Sequence, residues 1–317
     1  MARDSFHRET LCPGVPYCNA MRISSKRGAW VTVGIGVAVA GGLWLVGWRS
    51  PPYYDAPAAV LAPPILTMAE YDSLSETHAR PYVVKVETAA GGVLLFGASH
   101  TRDPADPQLS VIDREWEAFA PSVALVEGRL GFLIPGLMHP VKVFGEMGAV
   151  AALAKSSGVR IYSWEPRREL EISRMLDSFP PERVALFYVL RPYFSQLRFG
   201  RPESPETFVE EYRRKRTRYP GLEGTLPSMA AVDSLWARDF AGLPDWRETS
   251  DAYGLPGYLA DLSARSNALR DEHLAAIIVD LVRRGERVFA VAGSSHAVKL
   301  DAALRGTLGT PATAYRP

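Results

Sequence analysis

Val93-Leu94-Leu95-Phe96-Gly97-Ala98-Ser99-His100 is matched far downstream by Val288-Phe289-Ala290-Val291-Ala292-Gly293-Ser294-Ser295-His296. Each is a short apolar run leading into Gly-x-Ser-His. An apolar run this short, without polar alternation, reads as a strand buried on both faces. Working outward, further strand candidates fall at Tyr82–Val86, Val123–Val126 and Arg160–Trp164, with the two quoted runs at Val93–Phe96 and Val288–Ala292. Between them lie amphipathic segments that read as helices at Ile112–Phe119, Met147–Ser157, Glu182–Leu197 and Asn267–Arg284. Strands alternating with helices predict an α/β fold on a mixed or mostly parallel sheet, over about residues 81–317. From about 167 to 264 the strand signal stops, and that stretch reads as a helical insertion rich in arginine and aromatic residues.

In an open α/β sheet, ligands bind in the crevice beyond the carboxyl ends of the strands. His100 and His296 sit at such ends, as do Glu127 after Val123–Val126 and Glu165 after Trp164. Glycine before each histidine lets the backbone turn sharply and approach a ligand. With six histidines and 26 glycines in 317 residues, chance supplies roughly half a Gly-x-x-His, so the weight rests on the shared serine and the strand context. On the helix from Asn267 the apolar stripe Leu274, Ile277, Ile278 and Leu281 continues backwards into Asp271, Arg270 and Asn267. A buried face that begins with charges needs partners for them, either an internal ion pair or a site carboxylate that Arg270 orients. A serine nucleophile is disfavoured, because Gly97-Ala98-Ser99-His100-Thr101 lacks the second glycine of a nucleophile elbow.

The N-terminal part has a different character. Ala29 to Trp48 carries no charge, and at about 1.5 Å per residue it spans the roughly 30 Å hydrocarbon layer as a transmembrane helix. Trp30, Trp44 and Trp48 suit the headgroup zone, and Arg22, Lys26 and Arg27 precede the run. That asymmetry leaves residues 1–28 as a cytoplasmic arm and sends the rest across. The placement expected is a single-pass protein of the bacterial inner membrane, its C-terminal domain periplasmic or extracellular. A cleaved signal peptide, or a start at Met21, is the alternative reading. Residues 49–80, with Pro51, Pro52, Pro57, Pro63 and Pro64, read as a stiff stalk that serves as a spacer. Cys12 and Cys18 both precede the apolar run, so the exported domain has to hold together by core packing. A net charge of +1 gives no reason to expect nucleic acid as a partner. The basic run Tyr212 to Tyr219 reads first as a solvated helix face and second as a grip for an acidic partner or lipid headgroup.

The two Gly-x-x-His phrases, Glu127 with Arg129 close behind, and Asn267, Arg270 and Asp271 ahead of the second phrase resemble the TraB/GumN–Tiki superfamily. Erythromycin esterases and the haem-binding ChaN proteins are more distant members. The resemblance runs from about Val93 to Leu300 and implies two pseudo-symmetric halves with a site between the histidine phrases. It also implies metal-dependent peptidase activity as in Tiki members, with His100, His296 and Glu127 at the family's site positions and Glu165 and Arg270 less closely matched.

Three functions follow as expectations. The first is a hydrolase of peptide or ester bonds. In it His100, His296 and Glu127 hold a divalent ion (manganese, iron or zinc) with open positions for water, and the remaining carboxylate, Glu165, or Glu127 if it is not a ligand, takes the proton. Without metal, one histidine is the general base. The second is a haem- or ligand-binding protein with His100 or His296 as axial ligand. The third is an inactive scaffold.

Overall fold

The structure, a computed structural model, describes residues 47–248 and 255–309. The membrane-spanning expectation for 29–48 falls almost wholly outside them. Among the described residues no helix is long and apolar enough to cross a membrane.

Five strands form one mixed sheet: β1 (Tyr82–Glu87), β2 (Gly92–Ala98), β3 (Val123–Val126), β4 (Arg160–Ser163) and β5 (Arg287–Gly293). Their order is β1-β2-β5-β3-β4, with β1 antiparallel to β2 and every other pair parallel. β5 is last in sequence and central in space. It pairs with β2 so that Gly97 lies opposite Ala292 and Ala98 opposite Gly293. The two histidine phrases therefore leave the same sheet edge side by side.

Nine helices complete the described residues: α1 (Met68–Asp72), α2 (Pro107–Phe119), α3 (Pro140–Ser156), α4 (Arg168–Leu176), α5 (Pro181–Gln196), α6 (Pro205–Arg216), α7 (Met229–Asp239), α8 (Tyr258–Arg283) and α9 (Ser294–Leu308). On one sheet face Leu95, Leu125 and Ala290 pack under Ile277, Ile278 and Leu281 of α8 and Leu300 of α9. On the other, Phe96, Val126 and Phe289 pack under Ile112 and Trp116 of α2 and Val150 of α3. A third core, built on Phe187, Tyr193, Trp236 and Trp246, lies within the helical stretch between β4 and β5. There, no strand occurs among the described residues.

Several boundaries differ from expectation for identifiable reasons. α2 starts at Pro107, not near Ile112, because the Asp106 carboxylate accepts from the Gln108 amide and proline fits the first helical turn. α8 begins at Tyr258, not Asn267; its extra turns bury Leu259 and Leu262 in the helical core, away from the sheet.

Residues 49–80 are not a free spacer. The Ser163 amide donates to the Pro52 carbonyl at 2.9 Å, and Tyr53 bridges Ser163 in parallel. Tyr54, Ala56, Leu61 and Ile65 pack on the sheet core. Proline-rich composition describes an extended backbone; it does not say whether that backbone stands free or lies on a surface. The aromatic and aliphatic residues between the prolines decide it here, since burying them removes apolar area from water.

Candidate functional site

At the carboxyl edge of the sheet, each imidazole is fixed by a carboxylate. His100 Nδ1 lies 2.7 Å from Glu146 Oε1, and His296 Nδ1 lies 2.5 Å from Asp271 Oδ1. Carboxylates accept, so each Nδ1 carries the proton and each Nε2 presents its lone pair. A Cβ on Gly293 would lie 3.1 Å from His100 Nε2 and 3.8 Å from His296 Cδ2. Both rings thus crowd one glycine, which has no side chain to keep them apart.

The two dyads differ in exposure. His296 is buried at 6% exposure, edge-on to the Trp164 ring with 5.4 Å between centroids. Its partner Asp271 also receives the Lys299 ammonium. Burial pushes the Asp271 carboxyl up, but His296 and Lys299 outweigh it and hold the group below its usual range. The His100 side chain is 43% exposed and faces a cavity of about 290 Å³ lined also by Glu127, Phe144 and Arg198. The hydrogen bond to Glu146 raises the His100 pKa above the ordinary imidazole value, against partial burial.

Arg270 lies between the predicted carboxylates. Its Nη2 donates to Glu127 at 2.6 Å and to Glu165 at 2.7 Å, Nε donates to Glu165 at 3.0 Å, and Nη1 donates to Asn267 at 3.1 Å. Nη1 also approaches His296 Nε2 to 3.4 Å. Burial pushes the Glu127 carboxyl up, yet the charge of Arg270, joined by that of the two imidazoles when they are protonated, prevails and holds it far down, at about 2. Arg270 stays charged: burial works against it, and Glu165 and Glu127 more than compensate. Glu127 Oε2 is buried without a hydrogen-bond partner.

His100, His296, Glu127, Glu165 and Arg270 thus meet at one place. The expected three-ligand metal centre meets an obstacle there. Two of its ligands, Glu127 and His296, face a fixed guanidinium, and among the described residues no cluster of three or more His, Cys, Asp or Glu donors is arranged to hold a metal ion. Arg129, close behind Glu127, lies over the Tyr53 ring at the edge of this site.

Sequence reasoning missed Glu146 and Lys299. Lys299 sits one helical turn after His296 on α9, a spacing that could have been read. Glu146 is placed by its neighbour: Gly145 has φ 64° and ψ −152° inside α3, and a Cβ there would meet the Thr101 carbonyl oxygen at 2.7 Å. The close approach brings Glu146 Oε2 within 3.2 Å of the Thr101 amide while Oε1 holds His100. Gly145→Ala is expected to destabilise the protein by about 1–3 kcal/mol through backbone strain and steric clash. It should also drop the His100 pKa toward the ordinary imidazole value. Urea denaturation and an NMR titration of the ring check both, and unchanged values in both would show the kink to be incidental.

Comparison with protein-family models, with curated proteins and with solved structures gives no match to this chain, so its function rests on the geometry above.

Proposed function

We propose that this domain is a hydrolase of ester or peptide bonds, with His100 as general base. The observation that carries the reading is the pair of carboxylate-oriented imidazoles crowding Gly293 beside a carboxylate–arginine cluster. Glu146 fixes the His100 tautomer, leaving Nε2 to take a proton from water as the oxygen adds to the substrate carbonyl carbon. The tetrahedral adduct then collapses; the bond to the leaving oxygen or nitrogen breaks, and that atom takes the proton from the His100 imidazolium. Asp271, itself bonded by Lys299, holds His296, and Arg270 pairs with Glu165 and keeps Glu127 an anion at neutral pH. The likeness to the TraB/GumN–Tiki superfamily supports hydrolysis at this site, though with a metal, and the recurrence of one phrase on neighbouring parallel strands leads us to infer two related halves. Residues 29–48 are read as the anchor, which places the site outside the cytoplasm.

A divalent ion is the second reading, favoured by the unpartnered Glu127 Oε2 and by the Nε2 of His100, which its Nδ1 bond to Glu146 leaves with a lone pair. Manganese, iron or zinc held by His100, His296 and Glu127 would supply a water of lowered pKa, and Arg270 would have to yield its contacts to Glu127 and His296. The test measures turnover of chromogenic esters and dye-quenched peptides by the full chain in detergent, before and after chelation and metal add-back. Chelator-insensitive turnover lost in His100→Ala supports the metal-free base. Turnover restored only by metal, with His100→Ala, His296→Ala and the double variant equally defective, supports the ion. No turnover of either substrate class by the wild type would remove the hydrolase reading and leave a ligand-binding or inactive protein.

A further inference from the structure

Beyond Glu127, on the side away from His100, lies a second cavity of about 220 Å³. Four arginines line it, each brought by a different helix: Arg168 from α4, Arg191 from α5, Arg216 from α6 and Arg270 from α8. Two carboxylates, Glu127 and Glu165, line it with them. Both are taken by Arg270, and Arg168 is paired with Glu171 at 2.6 Å. Arg191 reaches only the Ser266 hydroxyl, at 3.1 Å, and Arg216 has no carboxylate within ion-pair distance among the described residues. With Glu171 counted beside Glu127 and Glu165, four guanidiniums meet three carboxylates, an excess of one positive charge. Burial and the neighbouring guanidiniums push the pKa values of Arg191 and Arg216 down, for Arg191 against the pull of Glu171 and Glu165.

Unmet hydrogen bonds converge on the same place. Among the described residues, four buried side-chain polar atoms lack a hydrogen-bond partner: Glu127 Oε2, Ser163 Oγ, Tyr188 Oη and Arg216 Nε. All but Ser163 belong to residues lining this one cavity. Leaving a buried polar group unpaired costs about 1–3 kcal/mol, so orphans gathered around one hole mark a place for a polar occupant.

The geometry points to a phosphate subsite: this cavity binds a phosphate group carried by the substrate whose ester or amide bond is cut at His100. The inference rests on the hydrolase reading only for the second half of that statement. Guanidiniums arriving from four helices suit a tetrahedral group with several free oxygens, whereas a carboxylate is satisfied by one bidentate arginine. Tyr188 Oη and Arg216 Nε are donors for those oxygens. Glu127 Oε2 is an acceptor, and it faces the next part of the substrate, a hydroxyl or amide N–H on the way to His100. Both cavities are lined by Glu127, so one extended molecule can occupy both.

The experiment titrates inorganic phosphate into the full chain in detergent by calorimetry, for the wild type, Tyr188→Phe and Arg216→Gln, with sodium chloride as the control. Tyr188→Phe removes a hydroxyl that no group meets at full hydrogen-bond geometry, though Glu171 and Arg168 lie near it, and is expected to melt close to the wild-type temperature, yet to bind phosphate about tenfold more weakly. Arg216→Gln is expected to weaken binding by about the same factor and to flatten its salt dependence. Competition by a soluble phosphomonoester, or by phosphatidic-acid vesicles, then separates a free phosphate ester from a lipid headgroup as the source. A wild type that binds phosphate no better than chloride overturns the subsite, and so does unchanged affinity in both variants. Phosphate binding without any ester or peptide turnover keeps the subsite and removes only the hydrolase. Turnover without phosphate binding does the reverse.

Discussion

Arg270→Met is expected to destabilise the protein by about 3–5 kcal/mol at neutral pH, the cost of breaking a buried ion pair by removing one partner. The side chain is 5% exposed and serves two carboxylates at once. Methionine keeps most of the apolar stem and removes the guanidinium, with its cation–π contact to Trp164, so the loss is chiefly one of charge. Arg168 and Arg191 lie within the electrostatic reach of Glu165 and offset part of it, which favours the lower end of the range. The pH dependence has a definite sign. In the wild type the Glu127 pKa is depressed when folded, so its contribution to stability is present above the unfolded carboxyl value and is lost as pH falls toward about 2. In the variant, burial without the arginine raises the folded pKa, so Glu127 opposes folding at neutral pH and ceases to as it protonates. Urea denaturation at neutral pH and near pH 4 should show the gap between variant and wild type shrinking on acidification. A loss below about 1 kcal/mol, or one independent of pH, would mean the cluster is not the fixed-charge device described above.

Glu146→Gln is expected to lower kcat/KM by about 10²–10⁴-fold, the span of a general base's contribution. The carboxylate has two tasks: Oε2 accepts from the Thr101 amide and Oε1 accepts from His100 Nδ1. Glutamine has one oxygen. If that oxygen stays on Thr101, its NH₂ faces Nδ1, the ring proton moves to Nε2, and the lone pair aimed at the substrate is gone. In the wild type the His100 pKa is raised, so activity should climb with pH through a value above that of a free imidazole. Residual activity in the variant should climb at lower pH, because the charge that raised the pKa has been removed. A pH profile of kcat/KM across the neutral range reads both effects. Wild-type rates with an unshifted acid limb would remove His100 as the base.

Much of this architecture is written locally. Short apolar runs such as Val93–Phe96 and Val288–Ala292 announce strands buried on both faces, and residues just past a strand end have to emerge at the sheet edge. Glu127, Glu165 and both histidines could be read for that reason. Arg270 and Asp271 could be read because a helix period carries them onto the face that buries Ile277. Glu146 obeys neither rule. Its position depends on a left-handed glycine in a helix and on a carbonyl from a different loop, and no spacing in the chain encodes that meeting. Arg216 is similar. The basic run containing it is mostly a solvated face, as composition suggests, with Arg213, Arg214 and Lys215 paired to Glu210 and Glu211 on the same helix. One residue of the run turns instead toward a cavity whose other walls come from α4, α5 and α8.

The place of β5 has a consequence for how the molecule is made. Among the described strands it is the last to leave the ribosome and the one on which both neighbours depend, since β2 and β3 are joined only through it. Until residues 287–293 are available, the nascent chain holds two half-sheets, β1-β2 and β3-β4, each with an unpaired apolar edge open to wrong partners. The closing step joins strands far apart in sequence, a slow class of contact, and it completes the sheet and assembles the site together. His296 follows β5 directly, so a chain that has not finished folding lacks the paired imidazoles, and the candidate site stays incomplete until this strand is in place.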